Sequence, residues 1–103
     1  MSISKYQIFL KTAQCGNFSR AARALNFTQS GVSHAVQALE DELGVSLFDR
    51  STRRVSLSSF GALFLPYAQR IAATRYEYES ALNNALNAEH GNVRIGSIPV
   101  MVQ

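Results

Sequence analysis

A set of hydroxyl, imidazole and amide side chains between residues 28 and 37 could make hydrogen bonds from one face of a helix. They are Thr28, Ser30, Ser33, His34 and Gln37. A glutamine amide can pair with adenine through two hydrogen bonds, and a histidine can donate to a guanine acceptor. Hydroxyls near a helix N-terminus, where backbone amides and the helix dipole favour an anion, can bind phosphate oxygens. These residue types suit contact with a nucleic-acid groove. The alternative interpretation is that they are ordinary solvent-exposed side chains that bind no partner.

The distribution of formal charge favours the same interpretation. The net charge is +3, and all of the excess falls in residues 1–58, since the remaining residues balance to zero. The charges that precede Glu40 are all basic: Lys5, Lys11, Arg20 and Arg23. Phosphates would therefore meet no carboxylate in this part of the chain. An ordinary solvated surface with a few extra arginines would give the same net charge. The order of the secondary-structure elements is therefore needed to distinguish it from a nucleic-acid-binding surface.

Other kinds of site find little support in the composition. Cys15 is the only cysteine, which excludes an intrachain disulfide and a cysteine-based zinc cluster. A packed thiol is favoured over a redox switch at Cys15, and His90 has no second ligand at metal-binding spacing. The chain has no nucleophile with a base, no carboxylate pair and no phosphate-binding glycine loop. We therefore expect no enzyme, no metal and no cofactor in this chain.

The length and hydropathy indicate a globular protein. The 103 residues, 47% of them hydrophobic, leave room for one domain and the beginning of another. No export signal and no membrane-spanning apolar run is found in the sequence. We expect a soluble, cytoplasmic protein that does not associate with a membrane.

Apolar spacing predicts two helices ahead of the polar face. Ser4 is expected to cap the first helix, which ends at Gly16 and Asn17. Ser19 is expected to cap a second, short helix. Its predicted buried residues are Ala21, Ala22 and Leu25, and Arg20 and Arg23 are predicted to point outward.

A third helix, capped by Thr28 and ended by Gly44, would carry the polar face. Its apolar residues fall in one stripe: Val32, Val36, Leu39 and Leu43. Asp41 lies one turn beyond Gln37 on the polar side. We therefore expect base contact only in about the first two turns of this helix.

Two short runs after Gly44 are rich enough in valine, leucine and phenylalanine to form a hairpin. They are Val45 to Arg50 and Val55 to Leu57, with a basic tip between them. The tip arginines, Arg53 and Arg54, could track phosphates or enter a narrow minor groove. An idle, solvent-exposed turn is the alternative.

A long helix from Ser59 to about Asn87 carries a stripe with a spacing typical of coiled coils. The stripe residues are Phe60, Phe64, Tyr67, Ile71, Thr74, Tyr78, Ala81 and Ala85. Such a helix would be roughly 43 Å long, too long for so small a core to cover. Pro66 should bend it without ending it. A second copy of the chain would cover the stripe.

The order of these motifs resembles that of one known family. The matching residues are Phe9, Gly16 to Ala22, Leu25, Thr28 to Ser30, Val32, Ser33, Leu39, Glu40, Leu43 to Val45, Leu47 to Arg50, Arg54, Val55, Leu57, Ser58 and Gly61. Over residues 1–90 the chain is similar to the N-terminal domain of LysR-type transcriptional regulators. Residues 91–96 look like the start of that family's effector-binding domain. Gly31 and His34 depart from the pattern, which usually has alanine and frequently arginine there.

The resemblance implies a mainly α fold, a winged helix-turn-helix of three helices and a two-stranded wing, followed by a long linker helix. The expected domains are residues 1–58, which bind DNA, 59–90, the linker that dimerises, and 91–103, the start of a truncated effector-binding domain. A small-molecule co-inducer is expected for the missing domain. Homodimers through the linker helix are implied, with tetramers in some intact proteins.

By resemblance, Gln29 joins Ser30, Ser33, His34 and Gln37 on the recognition helix. Thr28, Arg50, Arg53 and Arg54 are implied to contact the DNA backbone or the minor groove. The expected function is sequence-specific regulation of transcription from a partly palindromic operator of double-stranded DNA. A winged helix used only for protein association is the rival hypothesis.

Overall fold

The computed structural model describes residues 3–51 and 54–90, which form four helices and a two-stranded sheet. In chain order the elements are α1 (Lys5–Cys15), α2 (Phe18–Leu25), α3 (Gln29–Leu43), β1 (Phe48–Asp49), β2 (Ser56–Leu57) and α4 (Ser59–His90). The predicted order of three helices, a hairpin and a long helix is confirmed. The predicted domain beginning at residue 91 lies outside the described residues.

Side-chain caps fix where the first three helices begin. Ser4 and Gln7 form a capping box at α1, in which the Ser4 hydroxyl accepts from the Gln7 amide at 3.2 Å. Thr28 caps α3 by accepting from the Gly31 amide at 3.0 Å, as predicted. The prediction for α2 is wrong, because its cap is Asn17 and not Ser19. The Asn17 side chain accepts from the Arg20 amide at 2.9 Å, which starts the helix at Phe18.

The core lies where α1, α2 and α3 meet the hairpin. Its largest fully buried side chains are Phe9, Val32, Val36, Leu39 and Leu47, with Thr12 beside them. The Thr12 hydroxyl donates to the Ile8 carbonyl at 2.8 Å, so its burial leaves no unmet donor. Aromatic rings tie the hairpin to the helices, since Phe48 lies 5.4 Å from Phe9 between ring centroids. The buried apolar residues of the three helices and of the hairpin therefore form one continuous core.

The predicted stripe of α3 needs one correction. Leu43, expected to be buried, is 39% exposed. The buried line runs from Val36 to Leu39 and Glu40 and stops there, and Leu43 is the last residue of the helix. A carboxylate at Glu40 thus occupies an inward position that the apolar pattern did not predict.

The hairpin strands are shorter than the sequence predicted. β1 pairs antiparallel with β2, with Phe48 opposite Leu57 and Asp49 opposite Ser56. Ladder pairing does not extend back to Val45, because the Leu47 amide donates to the Glu40 carboxylate instead. The hairpin is also fastened to α1, since the Val55 amide donates to the Gly16 carbonyl at 3.3 Å. A packed pair of short strands of this kind needs such support.

The start of α4 packs closely on the hairpin. The Ser58 hydroxyl accepts from the Gly61 amide at 3.0 Å, so Ser58 caps this helix. A Cβ added at Gly61 would lie 2.0 Å from the Leu47 carbonyl oxygen, so only glycine fits there. The helix continues through Pro66, as predicted. Residues up to Ala72 belong to one compact unit, and the part of the helix from Ala73 belongs to a second.

Candidate nucleic-acid interface

The N-terminal half of α3 presents its polar side chains to solvent. Gln29, Ser30, His34 and Gln37 are exposed, and Ser33 is half-buried. Together with Thr28 and Gly31 they line one open depression on the surface. No carboxylate precedes Glu40 in this helix, and Glu40 itself points inward. The predicted outward, acid-free face, named here the recognition face (Thr28 to Gln37), is therefore present.

Gln29, near the start of the recognition face, is held by α2. Ser19 donates from its hydroxyl to the Gln29 amide oxygen at 2.9 Å. The amide nitrogen of Gln29 is the end of the side chain that this contact leaves to other acceptors. Ser19, predicted as a helix cap, thus joins the two helices of the helix-turn-helix.

The last residue of the recognition face is held from within α3. Gln37 donates through its amide nitrogen to the Asp41 carboxylate at 2.9 Å, and both side chains are exposed. This contact confirms that Asp41 lies on the same side of the helix, one turn further on. Asp41 therefore sets the C-terminal limit of the uncharged surface.

Glu40 joins the recognition helix to the hairpin. One of its carboxylate oxygens accepts from the Leu47 amide at 2.7 Å and from the Phe48 amide at 3.3 Å. The other oxygen accepts from the Arg50 guanidinium at 3.3 Å. The hydrogen bonds of Glu40 to the hairpin were not predicted from the sequence, although the spacing of four from Val36 places Glu40 on the inward side of α3.

Arg50 has partners within the fold. Besides the Glu40 carboxylate, its guanidinium carbon lies 5.2 Å from the centroid of the Phe18 ring. Its side chain is 40% exposed, so part of the guanidinium still faces solvent. The fold therefore holds this arginine in place beside the hairpin.

The tip of the hairpin is described only in part, because Arg53 lies outside the described residues. Arg54 lies beside Gly16, where an added Cβ would come 3.4 Å from its Nε atom. At the end of β1, the Asp49 carboxylate accepts a hydrogen bond from the Ser51 backbone amide at 3.0 Å. That hydrogen bond from the backbone lowers the pKa of Asp49 below its ordinary value.

The long helix α4 exposes apolar side chains along the predicted stripe. Phe60, Tyr67, Ile71 and Tyr78 are all exposed, as are the smaller members Thr74, Ala81 and Ala85. Phe64 differs, because it is half-buried and its ring lies 5.7 Å from that of Phe9. Four further large apolar side chains in the described part of α4 are exposed outside the predicted stripe: Leu63, Tyr76, Leu82 and Leu86. Leu82 and Leu86 each follow a stripe alanine by one position.

Within residues 3–51 and 54–90, no three His, Cys, Asp or Glu side chains come together as metal ligands. No helix in the described part of the chain is both long and apolar enough to cross a membrane.

Comparison with known proteins places this geometry in a family. The model of the bacterial regulatory helix-turn-helix proteins of the lysR family matches residues 3–62. The chain is 38% identical over 98 residues to the HTH-type transcriptional regulator GltR of Bacillus subtilis, which covers 95% of this chain and 33% of that protein. The chain thus spans about a third of the length of this relative.

Solved structures agree with this assignment. A CbnR DNA-binding domain in complex with DNA superposes with a TM-score of 0.72 at 32% identity, covering 84% of this chain and 99% of that one. Vibrio fischeri DarR in complex with DNA gives a TM-score of 0.75 at 29% identity, covering 84% and 30%. The family match covers more than half of the residues, and the fold agrees. The chain belongs to the lysR family of bacterial regulatory helix-turn-helix proteins.

Proposed function

We propose that this chain is the DNA-binding and dimerisation part of a transcriptional regulator that binds a partly palindromic operator as a homodimer. The observation that carries the proposal is the outward, carboxylate-free recognition face of α3. Relatives with solved DNA complexes share the fold, which supports double-stranded DNA as the partner. The relatives are named as regulators and not as enzymes, which supports a binding function without catalysis.

In this proposal the recognition face enters the major groove. Gln29, Ser30, Ser33, His34 and Gln37 face base edges, where amide, hydroxyl and imidazole groups can donate and accept. Thr28 lies at the N-terminus of α3, where its hydroxyl accepts from the Gly31 amide and keeps its own proton for a phosphate oxygen. The contact face ends at Asp41, whose carboxylate the phosphates would repel.

The wing and its base supply the backbone contacts. In the sequence, Arg53 and Arg54 fall between the two strands of the hairpin, where guanidinium groups would suit phosphates and a narrow minor groove. Arg50 uses one guanidinium nitrogen on Glu40 and keeps further N–H groups for a phosphate. Because Glu40 is bonded to both the hairpin backbone and Arg50, the wing and the recognition helix should approach DNA as one unit.

A second copy of the chain would cover the exposed stripe of α4. The predicted residues Phe60, Phe64, Tyr67, Ile71, Thr74, Tyr78, Ala81 and Ala85 would line this contact, and the exposed side chains of Leu82 and Leu86 would join them. A pair of chains presents two recognition faces, which requires half-sites separated by a multiple of one helical turn. Tetramers, a small-molecule co-inducer in a further domain and a cytoplasmic location remain proposals drawn from the family.

The test is selection of bound duplexes from a random pool by the 103-residue chain, followed by binding to a selected and an unrelated duplex at several salt concentrations. The proposal predicts a recovered motif with two related halves. Specific affinity should exceed non-specific affinity by a factor of about 10³ or more. Steep salt dependence with no recovered motif would leave only phosphate attraction, and an absence of DNA binding would favour the protein-association rival.

A further inference from the structure

A residue just outside the recognition face controls how one of its members is presented. The Asp41 carboxylate accepts a hydrogen bond from the Gln37 amide nitrogen at 2.9 Å. A carboxylate at neutral pH can only accept hydrogen bonds, so the nitrogen of the amide must be the end that faces it. The orientation of the Gln37 amide is therefore decided by chemistry.

This orientation determines which base edges Gln37 can meet. With the nitrogen turned to Asp41, the Gln37 Oε1 atom is the end that remains free to accept. Adenine and cytosine present an exocyclic amino group in the major groove, and that group donates to such an oxygen. The second hydrogen on the amide nitrogen can still donate to the N7 atom of adenine. Guanine can also accept at its N7 atom, but it carries the acceptor O6 where adenine carries its amino group, so O6 would face the Gln37 Oε1 atom, acceptor against acceptor.

The negative charge of the Asp41 carboxylate also disfavours guanine at the base that Gln37 contacts. Asp41 is exposed beside Gln37, and its carboxylate is directed to the Gln37 amide nitrogen, with no contact to a basic side chain among the ion pairs of the described residues. A negative charge next to the base edge repels the guanine acceptors O6 and N7 and favours the amino groups of cytosine and adenine. The two neighbouring acids do not share this role, because Glu40 is bonded to the hairpin and Glu42 to Lys5.

We propose that Asp41 is a specificity-determining positioning residue, which holds the Gln37 amide so that it accepts from adenine or cytosine and rejects guanine at one base pair of each half-site. The inference rests on the proposed function, since it requires α3 to lie in the major groove. It adds that a residue beyond the recognition face selects the base that Gln37 reads.

The experiment compares four variants of the chain with the unchanged protein: Asp41→Ala, Gln37→Ala, the double variant and Glu42→Gln. Glu42→Gln is the matched control, because it removes an equal charge from the neighbouring position of α3 without touching Gln37. Each protein is titrated with the selected duplex and with duplexes in which every base pair is replaced in turn. Thermal unfolding of each variant confirms that it is folded.

The inference predicts that the base pair sensitive to Gln37→Ala disfavours guanine by about tenfold in the unchanged chain. In Asp41→Ala this penalty should fall to about threefold or less, because the freed amide can turn its nitrogen to guanine. Other base pairs should keep their preferences, and Glu42→Gln should keep the guanine penalty. The double variant should show no loss of discrimination beyond that of Gln37→Ala.

Three results would overturn the inference while leaving the proposed function in place. One is an unchanged guanine penalty in Asp41→Ala, and another is an equal loss of preference at every base pair. A Gln37→Ala variant with undiminished discrimination everywhere would also overturn it, because Gln37 would then read no base. Failure of the unchanged chain to select any sequence would instead reject the proposed function itself.

Discussion

The Glu40 carboxylate on α3 accepts a 2.7 Å hydrogen bond from the backbone amide of Leu47, at the start of the hairpin. The glutamate is 5% exposed and Leu47 is fully buried. A buried carboxylate is costly unless every oxygen has partners, and here both oxygens accept hydrogen bonds. This contact fixes the wing relative to the recognition helix.

Replacing Glu40 with alanine should therefore lower the free energy of unfolding by about 2–3 kcal/mol, because it leaves buried amide donors unsatisfied. Urea unfolding measured by circular dichroism checks this value. The matched control is Glu42→Ala, whose solvent-exposed pair with Lys5 should contribute little to the free energy of unfolding. Equal effects of the two substitutions would contradict the role given to Glu40.

Gly61→Ala tests the close packing between α4 and the hairpin. Alanine favours a helix over glycine by about 1 kcal/mol, so propensity alone predicts stabilisation. The added Cβ would meet the Leu47 carbonyl oxygen at 2.0 Å, so we expect a net loss of about 1–3 kcal/mol from overpacking. Ser59→Ala, at an exposed position of the same helix, should stay within about 0.5 kcal/mol. A gain in melting temperature for Gly61→Ala would show that the contact relaxes freely.

Leu82→Glu tests the proposed dimer. Leucine at this position is 58% exposed in the single chain, and a second copy would bury it. A charge in such an apolar contact should shift the chain to the monomer and weaken binding to the two-half operator. Sedimentation velocity measures the first effect. The control Asn84→Glu places the same charge on the same helix outside the stripe, and this variant should remain dimeric. If both variants became monomeric, or if both stayed dimeric, the result would contradict the proposed contact.

The double variant Arg53→Ala with Arg54→Ala tests the wing. If both side chains neutralise phosphates in each of the two chains of a dimer, four contacts are lost and the slope of log affinity against log salt should become shallower by about 4, at roughly 0.9 per lost phosphate contact. Fluorescence anisotropy over a range of salt concentrations gives the slope. Lys11→Ala removes a charge from α1 and should leave the slope nearly unchanged. DNA binding with an unaltered slope in the double variant would remove the wing from the mechanism.

Much of this fold follows from local signals in the sequence. The period of apolar residues together with the caps Ser4 and Thr28 and the left-handed glycines Gly16 and Gly44 defines α1 and α3. The start of α2 was harder to predict, because Asn17 and Ser19 are both good caps and only the three-dimensional turn selects between them. Leu43 was misplaced because periodicity does not tell where the neighbouring helices stop.

The candidate site was predictable to a smaller extent. The outward placement of the polar side chains between Gln29 and Gln37 follows from the buried stripe on the other side of α3. The contacts that orient these side chains do not, since Ser19 meets Gln29 only after the two helices have packed. Glu40 lies four residues after Val36, on the inward side of α3, but no local pattern in the sequence reveals the hairpin amides that satisfy its carboxylate.

The central claim is that the recognition face reads base sequence, and the affinity ratio between a selected and an unrelated duplex tests it directly. Replacing both Ser33 and His34 with alanine removes polar groups from this face without changing the core. We predict that the ratio falls at least about tenfold, mainly through weaker binding to the selected duplex, while binding to the unrelated duplex changes little. An unchanged ratio, with both affinities lowered equally, would contradict the claim.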